Sequence, residues 1–472
     1  MKRKVGFICL ILVLFMAIPA SMACVVFCLP PQYGSTYYAV LPRMFRRLEE
    51  TEGKRIIVVG NSAVAFGLEA DLLEQEIKDY SVCSFGLYGA IGTKAMMDLS
   101  REKIRAGDIV ILAPEQTAQS MSLYFSSQYV WNAIDGNFGL LRYLKNTDEM
   151  IGGFFGFASR KFDYYWNNTA PDPNGVYAAS SFDENCKMIY DRPYNKLPLG
   201  YDEMSKISYD AEIISAEFAE YVNEYNAFIA ERGATLLYGF APVNAAGLEP
   251  GTTERDIDAF YDYLNGLLDC RILGSPHDYV FESDWFYDSN VHMNTAGAIV
   301  YTEQLVRDLR VYFDDNSPVG IVLPEKPTAP DEGPVGEDGQ DAALFEYEAD
   351  AAGWRITALS AAGKRAACVH IPDYYQGKKV LSFDASVFAG NTVIEEIFLG
   401  RNVYAIADGS FSGCSNLKRL YPAETAEPSD CSVYWALLEG APDCRIYVPK
   451  SRISDYANDY FWSRYSAYLV RY

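Results

Sequence analysis

From residue 55 onward the chain alternates short, nearly continuous apolar runs with stretches of helical period. No other feature limits the fold as much. Arg55–Val59, Ser81–Phe85, Asp108–Leu112 and Ala234–Phe240 read as strands. Ala70–Ile77, Thr93–Arg105, Ala211–Glu231, Thr253–Leu268 and Thr295–Tyr312 read as helices. Strands that are apolar throughout are buried on both sides. The expected domain, residues 55–313, is therefore α/β: a parallel sheet with helices on both faces. Sites in such sheets form beyond the carboxyl ends of the strands, where Ser62, Gln116 and Asn244 all fall.

Around this domain the composition changes. Met1-Lys2-Arg3-Lys4 precedes a stretch, Val5 to Leu29, without a charge. That is long enough to cross a bilayer at roughly 20 residues per crossing. The basic cluster would stay cytoplasmic and the bulk of the chain would face outward. The expectation for 1–29 is a single-pass anchor. The alternatives are a cleaved signal at Ser21-Met22-Ala23, giving a secreted chain, and a lipoprotein at Cys24. Residues 30–54, opening on Pro30-Pro31, read as a stalk with a helical stretch at Met44–Glu50. Residues 118–210, rich in Tyr, Asn, Asp and Pro, fit the alternation poorly and read as an insertion or lid beside the site. Residues 314–344, with Pro318, Pro324, Pro327, Pro330 and Pro334 among acidic residues, read as an extended linker.

Beyond the linker the chain repeats itself. Gly377 realigns with Gly400, Phe388 with Phe411, Gly390 with Gly413, Ile394 with Leu417 and Ile397 with Leu420, each 23 positions on. A fixed period of this size predicts a short solenoid over 345–472, each unit burying its apolar face against its neighbours.

The formal net charge is −23. That excludes broad contact with nucleic acid, whose phosphates need clustered Lys and Arg. The ten cysteines contain no CxxC pair, so neither a metal site nor thioredoxin-like chemistry is supported, and no cofactor is implied. Buried, unpaired thiols are the plain reading.

The chain has three histidines, and the chemistry gathers round one of them. Gly60-Asn61-Ser62 follows the first strand and would present the Ser62 hydroxyl above the sheet. Serine is a weak nucleophile without a base in hydrogen-bond reach. His292, in Asp288-Ser289-Asn290-Val291-His292-Met293-Asn294, is the candidate base, with Asp288 as the acid that orients it. Asn294 would cap the helix starting at Thr295 and hold that loop. His277 and His370 read as structural. An oxyanion needs donors aimed where charge develops. The candidates are the Ser62 N–H, Gly86 and Gly89 after the second strand, and the Gln116 amide after the third. A carboxylate at Glu115 would repel an oxyanion unless it points elsewhere.

The order of these blocks resembles the SGNH (GDSL-like) hydrolases. The resemblance implies a three-layer, flavodoxin-like domain. It implies Ser62 as nucleophile, His292 as base, and Gly89, with Gly86 second, in the oxyanion hole. The chain departs from the family pattern in three places: Gly-Asn-Ser for Gly-Asp-Ser, Glu115-Gln116 for the third-block Asn, and Asp288 one residue further from His292 than usual. The Pro-Glu-Gln block is also similar to the D-alanyl transfer protein DltD and the alginate-acetylation proteins. That likeness implies an esterase or O-acyltransferase whose partner is an acylated cell-envelope polysaccharide or polymer. Val369-His370-Ile371-Pro372, Phe411-Ser412-Gly413-Cys414-Ser415-Asn416-Leu417 and Ile446-Tyr447-Val448-Pro449-Lys450 resemble the BspA-type leucine-rich repeats of bacterial surface proteins, which implies a module for an unknown surface ligand. The competing expectation is a non-catalytic adhesion protein on a degenerate scaffold.

Overall fold

The computed structural model describes residues 17–145, 148–173, 175–328, 341–349, 352–424, 426–434, 436–459 and 461–472. Contacts divide the chain into two compact units. The second begins at residue 329 and takes in the short segments 171–174 and 196–204.

The first unit opens with a helix over residues 17–28 (α1). It continues α2 (Leu41–Glu50), β1 (Arg55–Gly60), α3 (Ser62–Gly67), α4 (Ala70–Glu76), β2 (Ser81–Gly86), α5 (Thr93–Arg101), β3 (Ile109–Ala113), α6 (Ser127–Ala133), α7 (Asp148–Asn167), α8 (Ala216–Glu231) and β4 (Thr235–Tyr238). Then come β5 (Val243–Asn244), α9 (Glu254–Leu267), β6 (Arg271–Ile272), β7 (Val280–Phe281) and α10 (Thr295–Tyr312). The main sheet runs β2-β1-β3-β4-β6, and every pairing in it is parallel. Ile56 and Val58 pack with Leu73 of α4 and Leu305 of α10. Ile57 and Val59 point the other way, because side chains alternate along a strand, and that is the side on which α5 lies against β1. Helices therefore flank both faces. Register matters most at one edge. Gly60 lies opposite both Gly86 and Ala113, so the turns after β1, β2 and β3 leave the sheet at one level.

Several boundaries differ from the expectation. The Ala211–Glu231 pattern breaks at Ser215, whose side chain accepts from the Phe218 N–H at 3.1 Å and starts α8. The edge strand β6 has only two residues, too short for a periodicity to show. Residues 30–54 are not a stalk. Leu41, Met44 and Leu48 of α2 are buried, and the Gln32 N–H donates to Asp135 at 2.6 Å.

The single-pass anchor is overturned as well: among the described residues, no helix is long and apolar enough to cross a membrane. The part of that segment before residue 17 lies outside the described residues. Most of residues 17–29 are exposed or half-buried, and Val26 alone among them is buried. Its carbonyl accepts from the ammonium of Lys161 at 2.9 Å, and the Phe27 ring sits edge-on to Phe138 at 5.0 Å. The secreted alternative is untouched by this finding.

The regular structure of the second unit is mainly strand: β8 (Phe345–Ala349), β9 (Trp354–Leu359), β10 (Cys368–His370), β11 (Tyr374–Tyr375), β12 (Lys378–Phe383), β13 (Glu396–Phe398), β14 (Ala405–Ile406), β15 (Arg419–Tyr421), β16 (Ser432–Val433), β17 (Arg445–Val448) and β18 (Leu469–Arg471), with one short α-helix, α11 (Ile453–Asn458), before the last. β10-β13-β15-β17-β18 form one parallel sheet. Val369, Ile397, Leu420, Ile446 and Leu469 face one another across it. The pairing of Ile397 with Leu420 reproduces the period of 23. Gly390, Gly413 and Gly440 each adopt a left-handed backbone, φ 75°, 73° and 83°. A Cβ at Gly440 would lie 2.4 Å from the Gly413 nitrogen, so the turns stack too closely for a side chain. Six of the cysteines are buried, and no disulfide forms among the described residues.

One buried ion pair holds the start of β1. The Arg55 guanidinium meets the Asp108 carboxylate with both side chains fully shielded, and donates to the Lys103 carbonyl at 2.7 Å. Breaking a buried pair strands a charge. Asp108→Ala is expected to cost about 3–5 kcal/mol, read as a shift in urea unfolding.

Candidate active site

The Ser62 turn is built from its neighbours. A Cβ at Gly60 would lie 2.4 Å from the Ala113 oxygen and 2.5 Å from Val64, so only glycine lets β1 pass between β3 and α3. Asn61 is buried, and its Oδ1 accepts from Thr93 Oγ1 at 2.9 Å, which ties the turn to α5. Ser62 is the first residue of α3, and its hydroxyl is held at the sheet edge.

The histidine loop is equally constrained. Asn294 caps α10 by accepting from the Gly297 N–H at 2.8 Å. Its amide nitrogen donates back to the carbonyls of Asp284 (2.6 Å) and Phe286 (3.0 Å). The Tyr287 N–H donates to the His292 carbonyl at 2.8 Å, closing the loop across its base. Ser289 Oγ accepts from the N–H groups of Val291 (3.2 Å) and His292 (3.1 Å). This turn absorbs the extra residue between Asp288 and His292.

These two pieces meet. His292 Nε2 lies 2.8 Å from Ser62 Oγ, and His292 Nδ1 lies 2.7 Å from Asp288 Oδ1. The other Asp288 oxygen accepts from the Tyr177 hydroxyl at 2.9 Å. The imidazole lies flat on Phe66, ring centroids 3.9 Å apart and planes within 12°. Buried Arg192 donates to the carbonyls of Met293 (3.1 Å) and Phe66 (3.2 Å), tying the histidine loop to α3. An imidazole oriented through Nδ1 by a carboxylate can accept a hydroxyl proton at Nε2.

The donor candidates divide. A Cβ at Gly86 would collide with Val64 at 2.5 Å and the Asn61 oxygen at 2.6 Å, so Gly86 serves packing. Gly89 faces the site: a Cβ there would lie 3.2 Å from Glu115 Oε2. Gln116 is buried, and its Nε2 has no hydrogen-bond partner among the described residues. Asn61 Nδ2 is likewise buried without a partner among the described residues. Two unspent amide donors thus sit at the ends of β1 and β3. The Ser62 N–H opens α3 beside its own hydroxyl.

Glu115 does not point elsewhere. Its Oε1 accepts from Ser62 Oγ at 2.7 Å and from the Ala63 N–H at 3.1 Å, and Ser120 Oγ reaches its Oε2 at 3.5 Å. Sequence reasoning named this residue but not its direction. It missed Tyr177 and Arg192, which come from the 118–210 stretch and reach the site only through tertiary packing. It missed Phe66, whose place four residues after Ser62 was the available signal. Tyr37 was also missed. Burial, with Glu115 and Asp288 nearby, raises its phenol well above the ordinary range, so it stays a neutral hydroxyl. Asn244 supports the site from outside, its N–H donating to the Asn290 carbonyl at 2.9 Å. His277 bonds Asp258 at 2.8 Å and His370 stacks on Phe398 at 4.2 Å.

Asn294→Ala removes a cap and two further bonds from a buried position. It is expected to cost about 2 kcal/mol or more, measured by denaturant unfolding.

No protein-family model matches the chain, and no curated protein matches it. Among solved structures, the leucine-rich repeat protein TpLRR of T. pallidum aligns at 20% identity and a TM-score of 0.20 over 23% of this chain and 47% of that one. Protein YXIM of Bacillus subtilis aligns at 12% identity and a TM-score of 0.27 over 56% of this chain and 58% of that one. The chain thus spans about half the length of each, and likenesses this distant carry no argument about activity.

Proposed function

We propose that the first unit is an SGNH-type serine esterase or O-acyltransferase, acting on acyl esters of cell-envelope glycans or polymers. The second unit would be a BspA-type repeat solenoid that binds a surface ligand. One observation carries the enzymatic part: the unbroken chain Ser62 Oγ, His292 Nε2, His292 Nδ1, Asp288 Oδ1, with links of 2.8 and 2.7 Å. The envelope substrate and the repeat ligand rest on sequence resemblance alone.

In this mechanism Ser62 Oγ attacks the ester carbonyl carbon while His292 Nε2 takes its proton. The oxyanion forms beside Ala63, Gly89 and the unspent amide donors. His292 then returns the proton to the departing alcohol, leaving the acyl group on Ser62. Water attack on that acyl-enzyme gives hydrolysis, and attack by a glycan hydroxyl gives transfer. In either case His292 removes the proton of the incoming hydroxyl.

The second reading, a non-catalytic binding protein, is favoured by the Glu115 carboxyl bonded to the nucleophile. Hydrolysis of an activated aryl ester separates the two. Ser62→Ala is expected to lower kcat/KM by about 10³-fold or more, and Asp288→Asn by about 10²- to 10⁴-fold with the fold intact. Equal rates for wild type and Ser62→Ala would favour the binding protein.

A further inference from the structure

We propose that α7 is a lipid-contacting helix: it lies along the surface of a bilayer, not across it, and seats Ile151, Phe155, Phe162 and Trp166 at the edge of the acyl chains. This holds whatever Ser62 does, because it concerns a different surface of the first unit.

Ile151, Phe155, Phe162 and Trp166 follow one another at steps of four, seven and four residues. In a helix such steps return to one side. The opposite side of α7 is in the core, where Met150, Phe157, Ala158, Lys161 and Tyr164 are buried. The four apolar residues are instead 65%, 46%, 46% and 74% exposed. They form a stripe about 22 Å long at 1.5 Å per residue. The Phe162 and Trp166 rings stack, 5.8 Å apart and 22° between planes, so the stripe is continuous at that end. Gly152 beside it is exposed, and a Cβ there would meet nothing within 4 Å. Apolar surface gathered in one row costs free energy in water until something covers it.

The neighbouring helix favours lipid as the cover. The Phe27 ring of α1 lies 6.4 Å from Phe154 of α7, and the Lys161 ammonium donates to the Val26 carbonyl at 2.9 Å. α1 also turns apolar side chains outward, with Ile18 and Phe27 exposed. The sequence joined to it, Val5 to Met16, has no charged side chain. A bilayer suits both exposed faces and that uncharged run. A sugar would need hydrogen-bonding side chains set among the rings, and Ile151, Phe155 and Phe162 offer none.

Charge sets the manner of contact. Asp148, Glu149, Arg160, Lys161 and Asp163 make α7 unsuited to crossing a bilayer, but the stripe itself is uncharged. Lys161 is turned inward onto Asp135 at 2.7 Å, so α7 lacks the basic face that draws many surface helices to anionic lipid. With a net charge of −23 the chain gains nothing from anionic headgroups. Binding should come from buried apolar area, on neutral lipid, and should respond little to salt.

The test uses the full chain and phosphatidylcholine vesicles, with and without bromine on the acyl chains. Trp166 is exposed, whereas Trp131 and Trp462 are buried and Trp285 and Trp354 half-buried, so bromine quenching reads chiefly Trp166. The account predicts that the chain sediments with neutral vesicles and that its affinity changes by less than about twofold between about 0.1 and about 0.5 M salt. Trp166→Phe should keep the binding and lose most of the quenching. Phe155→Ser combined with Phe162→Ser should weaken binding by about tenfold or more, with unfolding unchanged because both rings face outward. Absence of wild-type binding, equal binding by the double variant, or undiminished quenching in Trp166→Phe would overturn the proposal. So would a dimer in lipid-free buffer that the double variant abolishes, since a second copy would then cover the stripe.

Discussion

The level ending of three parallel strands is the constraint on which the rest of the first unit depends. Gly60 pairs with Gly86 on one side and Ala113 on the other. The turns that follow therefore share one edge, and a serine, a glycine and a carboxyl converge there without any long-range design of their own. Gly60 is the tightest point of that arrangement, because a single Cβ would meet the Ala113 carbonyl at 2.4 Å. The buried Arg55–Asp108 pair fixes the opposite end of the same strands. Position along the sheet, rather than any motif, puts the nucleophile where a base can reach it.

The base arrives from the far end of the first unit. Asn294 closes one side of its loop with three hydrogen bonds, and Arg192 bolts the other side to the carbonyls of Phe66 and Met293. Phe66 then supplies a flat surface for the imidazole. The dyad of Ser62 and His292 is thus held by backbone carbonyls and one aromatic ring, contacts that are indifferent to pH.

Much of this was legible in the residues. Apolar strands and helical periods gave the α/β class because their spacing follows from burial alone, and the cap at Asn294 could be read because capping is local. The period of 23 was legible because its glycines need a left-handed backbone that few residues adopt. Tyr177 and Arg192 were not legible. They lie in a stretch without regular period, and nothing local marks which buried pocket they enter. The direction of Glu115 was hidden for a related reason, since a carboxylate after a strand can face solvent or site, and only packing against Gly89 and Ser120 decides. The membrane-spanning expectation rested on hydropathy alone, and among the described residues no helix is long and apolar enough to cross a membrane.

The central claim is that Ser62 is a nucleophile activated by His292. Treating the purified protein with a fluorophosphonate, on the acidic as well as the alkaline side of neutrality, and locating the adduct by mass spectrometry tests it most directly. The account predicts an adduct on Ser62 that disappears in His292→Ala. A folded protein with no adduct on Ser62, or one whose adduct survives the loss of His292, would contradict it.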